Sequence, residues 1–313
     1  DSVGCSGADL WRHYLFSATL TVSKTLNIIG AGRVGSTLAR LWSNAGVFNV
    51  GHVVNASVHS AERAVVYIGA GEVCQNLSGL GECAVWMIGV HDSVIQSTAA
   101  ALAREGIVKE GDIVFHLSGS LGASELDLLA AQGALTASVH PVKSFVAPLC
   151  DEQEFTATWC AVEGNPLAIG ELQPALEQIG AQVLTLGASN KLLYHAASVF
   201  SCNYLSALME VALRCIEGSG VARNSGLALL EPLVRGTVDN LFKHGPARAL
   251  TGPIARGDHQ LVASQLEAVS SLKDDHARLY AELGRVAVEL AQQAGQVSSE
   301  DLEALNDVLT GRG

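Results

Sequence analysis

Thr25-Leu26-Asn27-Ile28-Ile29 runs straight into Gly30-Ala31-Gly32-Arg33-Val34-Gly35, and that into Ser36-Thr37-Leu38-Ala39-Arg40-Leu41-Trp42. The first five residues read as a short buried strand. The last seven open an amphipathic helix that Gly46 ends. Between them stand three glycines spaced G-x-G-x-x-G. That spacing carries meaning when it follows a strand and opens a helix near the start of a βαβ unit, as here. Backbone can then approach a pyrophosphate, and the helix N-terminus offers unpaired N–H groups and partial positive charge. Gly30, Ala31, Gly32, Arg33, Val34 and Gly35 are therefore the expected cradle of a dinucleotide. The bland alternative is a tight glycine turn with no ligand.

The alternation continues outward from this point. Strands are expected at 50–55, 83–90, 112–117 and 134–140, with helices at 60–69 and 92–105. Beyond Pro141, strands at 158–163 and 182–186 flank a helix at 166–179 and extend the same sheet. From 189 onward the pattern is helical only, over 190–217, 225–242, 258–273, 274–293 and 299–309. The expected fold is α/β, a doubly wound, mostly parallel Rossmann sheet followed by an all-helical C-terminal domain. The expected divisions are an extension at 1–22, a dinucleotide-binding domain at 23–187, and a helical substrate and dimerisation domain at 188–313. The first 22 residues lack the basic start and small-residue cleavage site of a signal peptide.

Composition narrows the class. Of 313 residues, 49% are hydrophobic and 16% charged, so the chain has the material for a real core. Lys+Arg number 19 against Asp+Glu 31, a net charge of -12, which repels phosphate backbones and argues against a nucleic-acid role. The seven cysteines form no C-x-x-C pair, so neither a zinc knuckle nor a disulfide framework is expected, and a cytoplasmic location is. No metal is implied. Unbroken apolar runs stay below the ~18 residues of a membrane span, so no membrane partner is expected. The long helical half suits a homodimer.

The second strand ends in Asn55-Ala56-Ser57, where an NAD site would place a carboxylate for the ribose 2′-hydroxyl. With Asn55 and Ser57 there, and Arg33, His59, Ser60 and Arg63 nearby, a 2′-phosphate is the better fit. The expected cofactor is NADP rather than NAD, although Arg63 also reads as an ordinary solvated helix residue. Val90 closes the third strong strand at the same sheet edge and is expected beside the cofactor, while Asp92 reads as a cap for the following helix. His116, Ser118 and His140 lie at neighbouring strand ends. Ser118 and His140 can orient a polar substrate, whereas His116, alternating with apolar neighbours, reads equally as a buried, hydrogen-bonded histidine.

Lys191 and His195, four residues apart at the start of the long helix, share a face. Val199 and Cys202 continue it, with Asn203 beside it. Reduction of a carbonyl needs a proton at oxygen as hydride reaches carbon, and Lys or His can supply it. The alternative is a solvated lysine and a packed histidine. Arg256, in Thr251-Gly252-Pro253-Ile254-Ala255-Arg256-Gly257-Asp258, can grip a carboxylate through its planar fork, and Asp258 reads as the cap of the next helix. Asn203 and Arg256 are the candidates for substrate binding.

The glycine loop, sheet and following helical domain resemble the superfamily of 6-phosphogluconate and β-hydroxyacid dehydrogenases, which includes pyrroline-5-carboxylate reductase, ketopantoate reductase and prephenate dehydrogenase. Closer still, HLSGSLGASEL (116–126), HPVKSF (140–145), KLLYHAASVFSCNYLSAL (191–208) and ALTGPIARGD (249–258) are similar to a bacterial family of NADP oxidoreductases. Its members join a Rossmann-like domain to a C-terminal helical domain of unassigned function. The resemblance covers residues 24–313. It implies that the superfamily's catalytic lysine falls on Lys191. The asparagine four residues later is replaced here by His195, which leaves the identity of the acid open. A catalytic histidine in the His-Pro context of prephenate dehydrogenases would match His140.

The expected function is hydride transfer between NADPH and a small carbonyl substrate of the 2-oxo or 3-oxo acid type, with Lys191, His195, His140 and Ser118 doing the chemistry. Cyclic-imine reduction, or NADP(H) binding by a sensor without turnover, are the alternatives.

Overall fold

The computed structural model describes residues 23–149, 152–187 and 190–312; the expected extension at 1–22 lies outside the described residues. The chain forms two compact units, divided between Val199 and Phe200.

The first unit is built on one eight-stranded sheet. In chain order its elements are β1 (Lys24–Ile29), α1 (Arg33–Asn44), β2 (Phe48–Val54), α2 (Val58–Ile68), β3 (Glu72–Val73), β4 (Val85–Ile88), α3 (Ile95–Glu105), β5 (Ile113–His116), α4 (Asp127–Ala130), β6 (Leu135–Pro141), β7 (Trp159–Gly164), α5 (Pro166–Glu177), β8 (Gln182–Thr185) and α6 (Lys191–Ser198). The strand order is β3-β2-β1-β4-β5-β6-β7-β8. The first six strands run parallel, β7 is antiparallel to β6, and β8 is parallel to β7. This is the doubly wound arrangement, and the chain reverses its direction of winding between β1 and β4. The carboxyl ends of these two strands are where such sheets open a ligand crevice.

The central strands are buried on both faces, as a parallel sheet covered by helices requires. Leu26, Ile28, Met87, Phe115, Ala137 and Val139 face one core, with Trp42 of α1 and Leu172 and Leu176 of α5. Ile29, Ile88, Trp86 and Val114 face the other, with Ile95, Ala99 and Leu102 of α3. Trp42 is fully buried, and its indole N–H donates to Ala175 O at 2.8 Å, tying α1 to α5. β3, two residues long against the edge strand β2, was not expected from the sequence.

The second unit is helical: α7 (Tyr204–Gly218), α8 (Arg223–His244), α9 (Pro246–Ala249), α10 (His259–Leu272), α11 (Asp274–Ala294) and α12 (Ser299–Thr310). Val262, Val288, Leu305 and Leu309 make its core. Asp258 caps α10 by accepting from Leu261 N–H, as expected. The expected helix over 190–217 is interrupted by a π-helical turn, Val199–Asn203. The whole run Lys191–Gly218 is long and apolar enough to cross a membrane by length and composition, and almost none of it is buried within the chain. In α7 and α8 only Leu213 and Gly226 are buried, while Tyr204, Leu227, Leu229, Leu233 and Phe242 are exposed.

Candidate active site

The three glycines of the loop do three different things. Gly30 sits at φ 91°, and a Cβ there would stand 2.7 Å from Val90 N and 2.8 Å from Gly89 C, so the turn requires glycine. Gly35 lies in the first turn of α1, and a Cβ would meet Gly30 O at 3.0 Å, so helix and strand end pack at backbone distance. Gly32 is different. A Cβ there would find only Gly89 O, at 4.0 Å, so the space beside it is open to a ligand. Gly32 is also the N-cap of α1, with no side-chain cap and no acidic residue in the first turn. The unpaired N–H groups of that turn suit a pyrophosphate.

These residues line a cleft of about 1270 Å³. Its walls include Gly30 to Ser36, Asn55, Ala56, Ser60, Arg63, Gly89, Val90, His91, Lys143 and Phe145. Arg33, Arg63 and Lys143 are cations on these walls, and among the described residues no carboxylate lines them. Asn55 stands where a ribose-binding acid would, and its Oδ1 accepts from Ala31 N–H at 2.7 Å, bracing the glycine loop. Ser57 caps α2, its hydroxyl oxygen accepting from Ser60 N–H, so its side chain serves the helix. Ser60 and Arg63, further along α2, line the cleft together with Ala64 and Tyr67.

Beyond the cleft, the same sheet edge carries a polar cluster. His116, Ser138 and Glu163 occupy one register row across β5, β6 and β7, and all three are buried. His116 is 0% exposed. Its Nε2 donates to Gly122 O at 2.8 Å and its Nδ1 accepts from Ser118 N–H at 3.2 Å. Burial is the main reason its pKa falls to about 4, so it is a neutral, structural histidine. Glu163 accepts from Ala123 N–H at 2.8 Å. These contacts fix both ends of the turn 116–123.

Asp92 does not cap the helix that follows it. Its Oδ2 accepts from Ser118 Oγ at 2.6 Å and Ser120 Oγ at 2.8 Å. Ser118 Oγ in turn accepts from the N–H groups of Ser120 and Leu121. The serines of the 118–120 loop, 26 and 28 residues away, claim the carboxylate that local sequence assigned to a cap. Leu117 links this loop to the cleft, since a Cβ on Gly89 would lie 3.4 Å from Leu117 Cδ1.

Lys191, the first residue of α6, is 4% exposed. Its Nζ donates to Ser118 O at 2.8 Å, to Leu121 O at 2.5 Å and to Ser138 Oγ. All three N–H bonds of the ammonium are used. Burial lowers its pKa to about 8, opposed by the charges of Glu163 and Asp92. One turn along, Tyr194 Oη lies 3.0 Å from His140 Nδ1, and the His140 and His195 rings stand 5.8 Å apart in an edge-to-face pair. Gly119 lies against both imidazoles: a Cβ there would be 2.6 Å from His195 Nδ1 and 2.7 Å from His140 Nε2. His195 Nδ1 is buried without a hydrogen-bond partner. Burial, then the neighbouring His195 and Lys191, hold the His140 pKa down at about 4.

The first unit thus brings together Ser118, His140, Lys191 and His195, as expected, and adds Asp92, Tyr194 and Gly119. Tyr194 was missed, although it stands three residues after Lys191 on the same helical face. Asn203 and Arg256 belong to the second unit and are exposed.

Residues 17–141 match the model of a Rossmann-like domain, and residues 158–287 match a domain of unknown function, DUF2520. No curated protein sequence matches the chain. Among solved structures, a candidate NADP oxidoreductase from Bacteroides fragilis superposes with a TM-score of 0.70 at 18% identity, over 85% of this chain and 98% of that one. An imine reductase from Myxococcus stipitatus, solved with NADP+, gives 0.62 at 15% identity, over 90% and 99%. A pyrroline-5-carboxylate reductase from Coxiella burnetii gives 0.54 at 15% identity, over 88% and 99%. At these identities the likeness is one of fold. The second match begins at the antiparallel strand β7, so the sequence of that domain contributes the last two strands of the sheet and the helix bearing Lys191. The chain joins a Rossmann-like domain at residues 17–141 to a DUF2520 domain at residues 158–287.

Proposed function

We propose that this chain is an NADP-dependent oxidoreductase that reduces a carbon doubly bonded to oxygen or nitrogen in a small molecule. The observation that carries the reading is the Gly32 position: a helix N-terminus beside open space, in a cleft whose described lining residues include three cations and no carboxylate. The pyrophosphate would rest on the N–H groups at the start of α1, and Ser60 and Arg63 would hold the 2′-phosphate. When bound, NADPH supplies hydride.

Ser118, His140, Lys191 and His195 would serve the substrate's heteroatom. Lys191 already has three acceptors, so it would act by holding the 118–121 turn and β6 in place rather than by gripping a carboxylate. That occupancy favours a cyclic imine or a neutral carbonyl over an acid whose carboxylate would need Lys191. The imine reductases among the structural neighbours support the same choice. The exposed apolar faces of α7 and α8 support a homodimer, since a second copy would cover what the chain leaves bare. The five described cysteines are free thiols, which suits a reducing compartment such as the cytoplasm.

A thermal-shift titration with NADPH, NADP+, NADH and NAD+ tests the cofactor. Ligand at 100 times its Kd adds about 2.7 kcal/mol of stability. A shift with the phosphorylated pair alone is the expected result, followed by NADPH oxidation assays on cyclic imines and 2-oxo and 3-oxo acids. No shift with any of the four would overturn the reading.

A further inference from the structure

One wall of the cleft comes from neither the glycine loop nor α2. Lys143, Phe145 and Pro148 line it, and all three belong to the stretch that follows β6. That stretch is held at both ends within the first unit. At its start Val142 N–H donates to Trp159 O at 2.7 Å, extending the β6–β7 ladder, and Lys143 N–H donates to Pro141 O at 3.0 Å, turning the chain off the sheet. At its far end Leu149 is held twice. Its N–H donates to Thr37 Oγ1 of α1 at 3.2 Å, and its carbonyl accepts from Tyr67 Oη of α2 at 2.5 Å. Between these points Arg33 Nη1 donates to Phe145 O at 3.3 Å. Residues 142–149 therefore form a strap fastened to α1 and α2, the two helices that line the cleft.

Lys143 is the cation that this strap carries. It is half-buried, and among the described residues its ammonium has no hydrogen-bond or ion-pair partner. Lys24 and Lys109, by contrast, pair with Glu171 and Glu82. A charge partly withdrawn from water without a counter-charge is unfavourable, and an anion in the cleft would offset that cost. The strand order says which anion. β2, which leads into Ser60 and Arg63, lies on one side of β1, and β6 lies on the other side, beyond β4 and β5. Lys143 comes just after the end of β6 at Pro141. From that side the strap approaches the crossover between β1 and β4, where a pyrophosphate rests, while α2 serves the 2′-phosphate.

We propose that Lys143 binds the pyrophosphate of the dinucleotide, completing the cradle begun by the N–H groups of α1, and that Tyr67 is the positioning residue that holds its strap. This rests on the dinucleotide-binding part of the reading above and adds a second wall to that site. A lysine suits the place, because its ammonium meets a phosphate as a compact charge and needs no fixed plane. Tyr67 is itself oriented: Arg40 lies 5.0 Å over its ring and donates to its carbonyl at 3.0 Å.

The test follows nicotinamide fluorescence in titrations of wild type, Lys143→Met, Lys143→Arg, Tyr67→Phe and the Lys143→Met/Tyr67→Phe double variant, each checked by a thermal melt. Lys143→Met should weaken NADPH and NADH by the same factor, about tenfold, and Lys143→Arg should recover most of it. Raising NaCl from about 50 to about 500 mM should weaken NADPH binding less in Lys143→Met than in wild type, since one screened contact is gone. Tyr67→Phe should weaken NADPH about threefold, and that loss should vanish in the double variant, because it acts through the strap. An unchanged Kd or salt response in Lys143→Met would overturn the contact, and a loss confined to NADPH would move it from the pyrophosphate to the 2′-phosphate and overturn the assignment. Additive losses in the double variant would overturn the positioning role. Absence of NADPH and NADH binding by the folded wild type would instead overturn the dinucleotide reading itself.

Discussion

Lys191 Nζ donates to the carbonyl oxygen of Ser118, 73 residues earlier in the chain, at 2.8 Å. With Leu121 O and Ser138 Oγ it completes a buried, saturated ammonium site. Replacing it by methionine keeps the length and apolar stem but leaves Leu121 O and Ser138 Oγ without this donor, and Ser118 O with the Ser138 hydroxyl alone. A buried group stripped of its partner costs about 1–3 kcal/mol, so Lys191→Met should lower stability by at least that much in urea unfolding. The variant should keep NADPH binding and lose turnover, because the turn bearing Ser118 and Gly119 loses its anchor. Equal loss of binding and turnover would place Lys191 in the cofactor site instead.

The same lysine gives a signed dependence on pH. Its pKa is about 8 in the folded chain against 10.5 for the free side chain. Between those values the unfolded chain binds more protons, so this group's contribution to stability improves as pH rises through that window. Lys191→Met lacks the effect. The stability advantage of the wild type over the variant should therefore widen from about pH 8 to pH 10. A constant gap would show that the ammonium is not desolvated.

His116 works at the other end of the scale. Its pKa is lowered from 6.5 to about 4 by burial. Below pH 6.5 the unfolded chain takes up a proton that the folded chain refuses, so stability present at neutral pH is lost progressively as pH falls toward 4. His116→Asn should be less stable at pH 7, having lost the contacts to Gly122 O and Ser118 N–H, yet show a shallower decline on acidification. Chemical denaturation of both proteins across that range checks it.

The glycine loop was legible because its demands are local. A positive φ at Gly30, a backbone-close helix at Gly35 and a free approach at Gly32 are each met by omitting a Cβ. The succession of strands along the chain followed from hydrophobic runs, and β3 escaped because two residues cannot display an alternation. The polar cluster was half legible. Ser118, His140, Lys191 and His195 were visible as residue types at strand ends and on one helix face. What could not be read was who bonds to whom. Asp92 reads locally as a helix cap, yet serines far along the chain outcompete that role. Tyr194 looks like one more aromatic of an apolar helix until His140, 54 residues away, is brought to its hydroxyl.

Gly119 separates packing from cofactor binding. In Gly119→Ala the new methyl must displace both His140 and His195, and such overpacking costs about 1–3 kcal/mol. The cleft lined by Gly32 and Arg63 does not include Gly119, so NADPH affinity should be nearly unchanged while turnover falls sharply. Isothermal titration with NADPH beside a thermal melt reads both quantities on one protein.

Gly32→Ala and Gly30→Ala make the sharpest contrast, because one residue faces ligand space and the other faces protein. Gly32 has φ -77° and only Gly89 O near its absent Cβ, so alanine there should leave stability within about 0.5 kcal/mol. Its methyl would occupy the approach of the pyrophosphate, and NADPH affinity should fall at least about tenfold, or 1.4 kcal/mol. Gly30 at φ 91° should behave in the opposite sense, with alanine costing about 1–3 kcal/mol of stability through strain before any effect on ligand. Arg63→Ser completes the set. It should leave the fold intact and narrow the preference for NADPH over NADH, since removing a charge-assisted contact to phosphate costs about 1.5–3 kcal/mol. If Arg63→Ser weakens both cofactors equally, the arginine is reading the pyrophosphate and the 2′-phosphate must be held elsewhere on the cleft wall.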